Sequence, residues 1–89
     1  MFNIFKVIGV SMFPKYRPNE YVITFKTRSF KQDDVIVFKD NSENQVIKRI
    51  KAINEKGFIV KSDNKSYPSS LHDEIFALDK IDGKVIFKF

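Results

Sequence analysis

From Tyr21 onward, apolar residues come in short runs separated by turn-forming clusters. Tyr21-Val22-Ile23-Thr24-Phe25 and Val35-Ile36-Val37-Phe38 are β-branched and aromatic. Such side chains suit a pleated, half-buried surface, so both runs predict strands. Asp40-Asn41-Ser42-Glu43-Asn44 is a turn cluster that joins 35–39 to a longer strand over 45–53, giving a hairpin. Asn54-Glu55-Lys56-Gly57 turns the chain again into Phe58-Ile59-Val60, and Ile81 to Phe87 forms a last strand. Residues 62–73 read as a loop, with Asn64, Pro68 and the serines at 62, 66, 69 and 70. No long window keeps apolar positions at i, i+3, i+4 and i+7 without also fitting a strand. Two short helical turns are expected, at Met12–Tyr16 between the limits set by Pro14 and Pro18, and near Ser70–Ile75. The pattern therefore predicts a mostly β protein, a small coiled antiparallel sheet or barrel with little or no helix.

Length makes this one domain, 1–89. Folding at this size buries only about 60 to 65% of the unfolded surface, so the ten phenylalanines matter, each able to bury about 150–250 Å². There is no cysteine, which excludes disulfides, thiolate zinc sites and a cysteine nucleophile. A single histidine, His72, excludes a multi-histidine metal centre and reads as a surface loop residue. No cofactor and no metal is expected. The net charge is +5, from lysines spread along the chain. Such a surface is solvated in most proteins, but it also fits nucleic acid, anionic lipid or an acidic partner. No apolar run approaches the roughly 18 residues of a spanning helix, and Met1–Val10 is interrupted by Asn3 and Lys6. The expected location is cytoplasmic or peripheral to a membrane.

Chemistry enters through the strand at 45–51. Side chains alternate, so Val46, Lys48 and Ile50 share one face and Ile47, Arg49 and Lys51 the other. A Val/Ile face seeks burial and carries the Lys48 amine with it. The alternative is that Lys48 snorkels outward or that the faces are reversed, since Ile47 lies on the other side. An ordinary lysine, pKa about 10.4, is neutral in only about one molecule in 2,500 at pH 7. Desolvation to about 8 raises that to roughly a tenth, at about 3 kcal/mol of stability. A neutral amine can take a proton from a serine hydroxyl, a nucleophilic pair that needs no histidine. A candidate serine stands in Gly9-Val10-Ser11-Met12-Phe13-Pro14. There Gly9 permits close backbone approach and Pro14 stops the chain from continuing as a strand.

These segments recur in one order. Gly9-x-Ser11-Met12-x-Pro14 is followed by Asp34-Val35-Ile36-Val37-Phe38, then Val46-Ile47-Lys48-Arg49-Ile50, Ser62-Asp63-Asn64 and Ile81-x-Gly83-Lys84-Val85. The series resembles the signal peptidase I family and its relatives, the LexA-type repressor autopeptidase domains and the small signal-peptidase-like maturation proteases. The resemblance implies coiled antiparallel sheets and a Ser-Lys dyad. Ser11 matches the nucleophile, whose backbone N–H also holds the oxyanion, and Lys48 matches the general base. Gly9 and Met12 flank the serine where substrate binds. Ser62-Asp63-Asn64 corresponds to a Gly-Asp-Asn structural loop, and Ser70 is the candidate for the serine that orients the lysine. Asn64-Lys65-Ser66-Tyr67-Pro68 is closer to the Asn-x-x-Tyr-x-Pro of the repressor-type domains. Ala52 and Ala77 are followed by Ile53 and Leu78, so no Ala-Gly bond for repressor-style self-cleavage exists in these residues.

The resemblance leads to a serine endopeptidase that binds an extended protein segment as an added β-strand and processes a signal peptide or pro-segment. Two alternatives stand beside it. One is a basic, phenylalanine-rich β-barrel module that binds nucleic acid by stacking and lysine contacts. The other is a degenerate peptidase domain used for homodimerisation. Membrane association without a spanning segment is a further option.

Overall fold

The computed structural model describes residues 1–66 and 74–89. Six strands pair into one antiparallel sheet: β1 (Phe2–Lys6), β2 (Tyr21–Phe25), β3 (Val35–Lys39), β4 (Gln45–Asn54), β5 (Gly57–Lys61) and β6 (Ile81–Lys88). Their order across the sheet is β1-β2-β6-β3-β4-β5. The mostly β expectation holds, and both predicted hairpins are present, β3 with β4 and β4 with β5. The C-terminal strand β6 inserts between β2 and β3, and so joins the N-terminal pair to the three-stranded meander.

β1 is an addition to the expected set. It pairs with β2 from Phe2↔Phe25 to Lys6↔Tyr21. Its residues alternate, but Phe2 and Ile4 remain 64% and 67% exposed, so the buried face that marks a strand in sequence is nearly absent. The expected helical turn after Ser11 is a single turn, closed by the Tyr16 N–H donating to the Met12 carbonyl at 2.9 Å. Most of the second, near Ser70–Ile75, lies outside the described residues. A short 3-10 turn at Leu78–Lys80 leads into β6.

Both faces of the sheet are covered, which is why β3 is buried at Val35, Ile36, Val37 and Phe38 in succession. On one face Val22, Val35, Val37 and Ile47 pack with Val7, Met12 and Tyr16 from the β1–β2 connection. On the other, Ile36, Ile50, Val60 and Ile81 pack with Phe38, Phe58 and Phe76. Those three rings form a closed trio with centroids 4.9, 5.3 and 5.6 Å apart. Phe76 is fixed there by two backbone hydrogen bonds to Phe58, each 2.9 Å. Gly57 makes that approach feasible, because a Cβ at this position would sit 2.4 Å from the Phe76 carbonyl oxygen.

Candidate active site

β4 presents its two central cations to opposite faces. Lys48 pairs across the sheet with Ile36 and lies between Val46 and Ile50, on the side of the phenylalanine trio. Of the two orientations left open by the alternation, the structure takes the one that buries Lys48, to 3% exposure, and burial pushes its pKa below the usual lysine value. Its Nζ donates to Ser62 Oγ at 2.8 Å.

Arg49 points to the other side and meets a carboxylate in fork geometry. Its Nε donates to Asp63 Oδ1 and its Nη2 to Asp63 Oδ2, both at 2.8 Å, while Nη1 reaches the Asp33 carbonyl at 2.7 Å. The hydrogen bonds to Asp63 hold the guanidinium firmly charged. Tyr16, 7% exposed, feels the same pair: burial pushes its phenol up, Arg49 pulls it down, and Asp63 adds to the rise.

The stretch after β5 ties these groups to the serine. Ser62 meets Lys48, and Asp63 meets Arg49 while donating its N–H to Met12 Sδ at 3.4 Å. Asn64 donates its N–H to the Ser11 carbonyl and its Nδ2 to the Val10 carbonyl, each at 2.9 Å. Ser66 N–H caps the Asn64 Oδ1 at 3.1 Å. Three consecutive residues therefore fasten the turn that bears Ser11 and the strand that bears Lys48. Ser11 itself is half-buried, with Ile8, Val10 and Phe13 exposed around it at 79%, 41% and 42%.

Two expectations change here. Met12 is 1% exposed, so its side chain anchors the turn in the core and is not placed to touch substrate. Gly9 is not closely approached by the chain, since an added Cβ would meet nothing within 4 Å. It is needed for its φ of +84°, which L side chains resist. Ser70 and His72 lie outside the described residues. Beyond the expected groups, the structure contributes Ser62 as a direct partner of the amine, and Tyr16 with Asp63 as the surroundings of Arg49. Ser62 enters the sequence reading only as the first residue of the Gly-Asp-Asn-like structural loop, because its contact with the amine depends on strand register. Among the described residues, no cluster of three or more His, Cys, Asp or Glu is placed to hold a metal ion. No helix among them is long and apolar enough to cross a membrane.

An antiparallel sheet bearing a serine on a tight turn and a desolvated lysine, bridged by one loop, defines a small all-β serine-peptidase-like domain. Residues 2–86 match the Peptidase S24-like family, and the chain belongs to it, within the LexA and signal peptidase superfamily of Ser-Lys dyad peptidases. No curated protein sequence matches the chain.

Proposed function

We propose that this chain is a serine endopeptidase in which Ser11 is the nucleophile and Lys48 the general base. The observation that carries the reading is the amine of Lys48, 3% exposed and held by Ser62, two residues before the asparagine that grips the Ser11 turn. Burial lowers the cost of the neutral amine, which is the form a base requires.

The steps follow from these groups. Ser11 Oγ attacks the scissile carbonyl while its proton passes to Lys48 Nζ. The Ser11 N–H holds the oxyanion of the tetrahedral intermediate. Lys48 returns the proton to the leaving nitrogen, the C–N bond breaks, and the new N-terminus departs. Water, deprotonated by the same amine, then attacks the ester, and the proton goes back to Ser11 Oγ as the acid product leaves. Ile8, Val10 and Phe13, exposed neighbours of Ser11 in the chain, suit an extended, partly apolar peptide. Signal-peptide and pro-segment processing are the substrate classes of this reading.

Labelling with a fluorophosphonate, followed by mapping of the adduct, tests it. The adduct is expected on Ser11, rising with pH as the amine loses its proton, and absent in Ser11→Ala. Lys48→Met should fold and label at least about a hundredfold more slowly. Unchanged labelling in Lys48→Met would remove the base from the mechanism.

The exposed aromatic side chains of β1, β2, β6 and the residue after β6 favour one other reading. Phe2, Tyr21, Phe25, Phe87 and Phe89 are 64%, 41%, 36%, 59% and 57% exposed on this +5 chain, a stacking surface for single-stranded nucleic acid. Binding that weakens steeply with salt, with no peptidase turnover, would favour that module.

A further inference from the structure

β4 outruns its partner β3. The pairing of the two ends at Val35↔Arg49, while β4 runs on to Asn54 beside β5 alone. A bulge between Ile50 and Ala52 interrupts that second pairing, and bulged strands bend. On this overhang Ile53 packs against the cluster of the phenylalanine trio, as does Phe30 from the β2–β3 connection. Between the overhang, the start of that connection and the turn that leads into β6 lies a groove of about 730 Å³. Pockets of such a volume hold drug-sized organic molecules. Its apolar lining is Phe30, Ile53, Leu78 and Ile81, of which Leu78 is 39% exposed. None of the groove's residues belongs to the Ser11 turn or to the stretch after β5. Ile53 lies five residues beyond Lys48, roughly 16 Å along an extended strand.

The charges around the groove define what it would hold. Lys26 and Arg28 stand on the β2–β3 connection, Glu55 in the β4–β5 turn and Asp79 in the turn before β6. Among the described residues, the side chains of these four have no ion-pair or hydrogen-bond partner. For the two cations that is ordinary on a chain of net charge +5. For the carboxylates it is not. Every other described aspartate and glutamate is met by a cation, an amide or a backbone N–H, including Asp82, which lines the same groove and takes Gln45. The two unmatched acids therefore rim one apolar groove, and the cations beside it do not close on them.

A ligand that satisfies this rim carries an ammonium at one end, a carboxylate at the other and apolar groups between. A short apolar peptide with both termini free has that chemistry. A single amino acid holds both charges on one carbon, too close together to reach acids and cations that themselves stay apart. We propose that this groove binds short apolar peptides by their free ends, the ammonium at Glu55 and Asp79 and the carboxylate at Lys26 and Arg28. The reaction class that supplies such a ligand is peptide-bond hydrolysis. The proposal does not rest on the peptidase reading above, because the groove lies away from Ser11 and Lys48 and recognises chain ends.

The test is an NMR titration of the full chain, labelled at isoleucine and leucine methyls and carrying Ser11→Ala so that the probe is not consumed. The probe is the tripeptide Leu-Phe-Leu. Shifts are expected at Ile53, Leu78 and Ile81 and not at Ile8, with a Kd of about 1 mM or tighter. Acetylating the N-terminus of the probe or amidating its C-terminus should each weaken binding about fivefold, the upper range for an exposed ion pair. Glu55→Gln with Asp79→Asn should weaken the free peptide by the same factor and leave the acetylated one unchanged. Lys26→Gln with Arg28→Gln should do the same for the amidated form. All four side chains are exposed, so these variants should fold. Leu78→Ser should weaken every form of the probe. Equal affinity for the free and doubly blocked peptides would overturn the proposal, as would shifts confined to Ile8 or none up to about 10 mM. Free phenylalanine binding as tightly as the tripeptide would overturn it as well. None of these results bears on the fluorophosphonate adduct at Ser11, so the two readings fail separately.

Discussion

The two faces of β4 treat neighbouring cations in opposite ways. On one face Arg49 is met by both oxygens of Asp63 and by the Asp33 carbonyl, so its charge is matched and geometrically fixed. On the other, one residue earlier, Lys48 lies in an apolar cluster with its nitrogen against a hydroxyl. The first arrangement makes a charge permanent and uses it as a structural strut. The second makes a charge cheap to lose and leaves the group ready for proton transfer. One strand thus carries a fixed cation and a readily neutralised amine side by side, turned to opposite faces by strand alternation, and the bulge between Ile50 and Ala52 sets which residues after β5 each one meets.

That contrast can be broken from either side. The largest effect is on turnover of a peptide substrate: Ser11→Ala or Lys48→Met should each reduce kcat by at least about a thousandfold in a chain that still folds, as judged by circular dichroism. Next comes the apolar side. Phe58→Ala opens the ring trio and should cost about 3–5 kcal/mol in urea unfolding, enough to leave an 89-residue domain marginal. A milder Phe76→Leu, by loosening the same cluster, should let water toward Lys48 and raise the pH midpoint of acylation. On the arginine side, Asp63→Asn should cost about 1–3 kcal/mol, because the guanidinium is only 19% exposed and loses its charge partner. The backbone N–H of residue 63 still reaches Met12 in that variant, so activity should fall less than stability.

The smallest effect has the opposite sign. Lys48→Met should gain about 1–2 kcal/mol at neutral pH, since it removes a buried amine from apolar surroundings. Because the folded pKa of Lys48 lies below its ordinary 10.5, the unfolded chain binds a proton that the folded chain has given up between those two values. The stability of the unaltered protein therefore rises with pH across that window. The advantage of Lys48→Met should be full below it and shrink as pH approaches 10.5, as measured by urea unfolding at several pH values.

Much of this was legible in the chain. The hairpin turns at 40–44 and 54–57 stand where the turn residues put them, whereas the alternation in β4 leaves open which face is buried, and the structure buries both, Ile47 to 4% and Lys48 to 3% exposure. β1 was hidden because its outward residues are as apolar as its inward ones: Phe2 and Phe25 meet in the open as a tilted pair with ring centroids 5.2 Å apart, a pattern with no polar face to define it. Met12 looked like a substrate contact because it adjoins Ser11, but the turn directs it into the core, and adjacency in sequence does not fix direction at a turn. The contact of Ser62 with Lys48 is hidden for a different reason. It depends on a one-residue bulge in β4, and counting back from the hairpin turn without it brings the wrong residue to the amine.

Asn64 grips the Ser11 turn through the main-chain oxygens of Val10 and Ser11, groups that every amino acid supplies. Position 11 is in that respect a socket: its backbone is seated by what lies around it, whatever side chain is plugged in. A cysteine installed there would be delivered to the same spot as the serine, turning an alcohol chemistry into a thiol one without redesigning the frame.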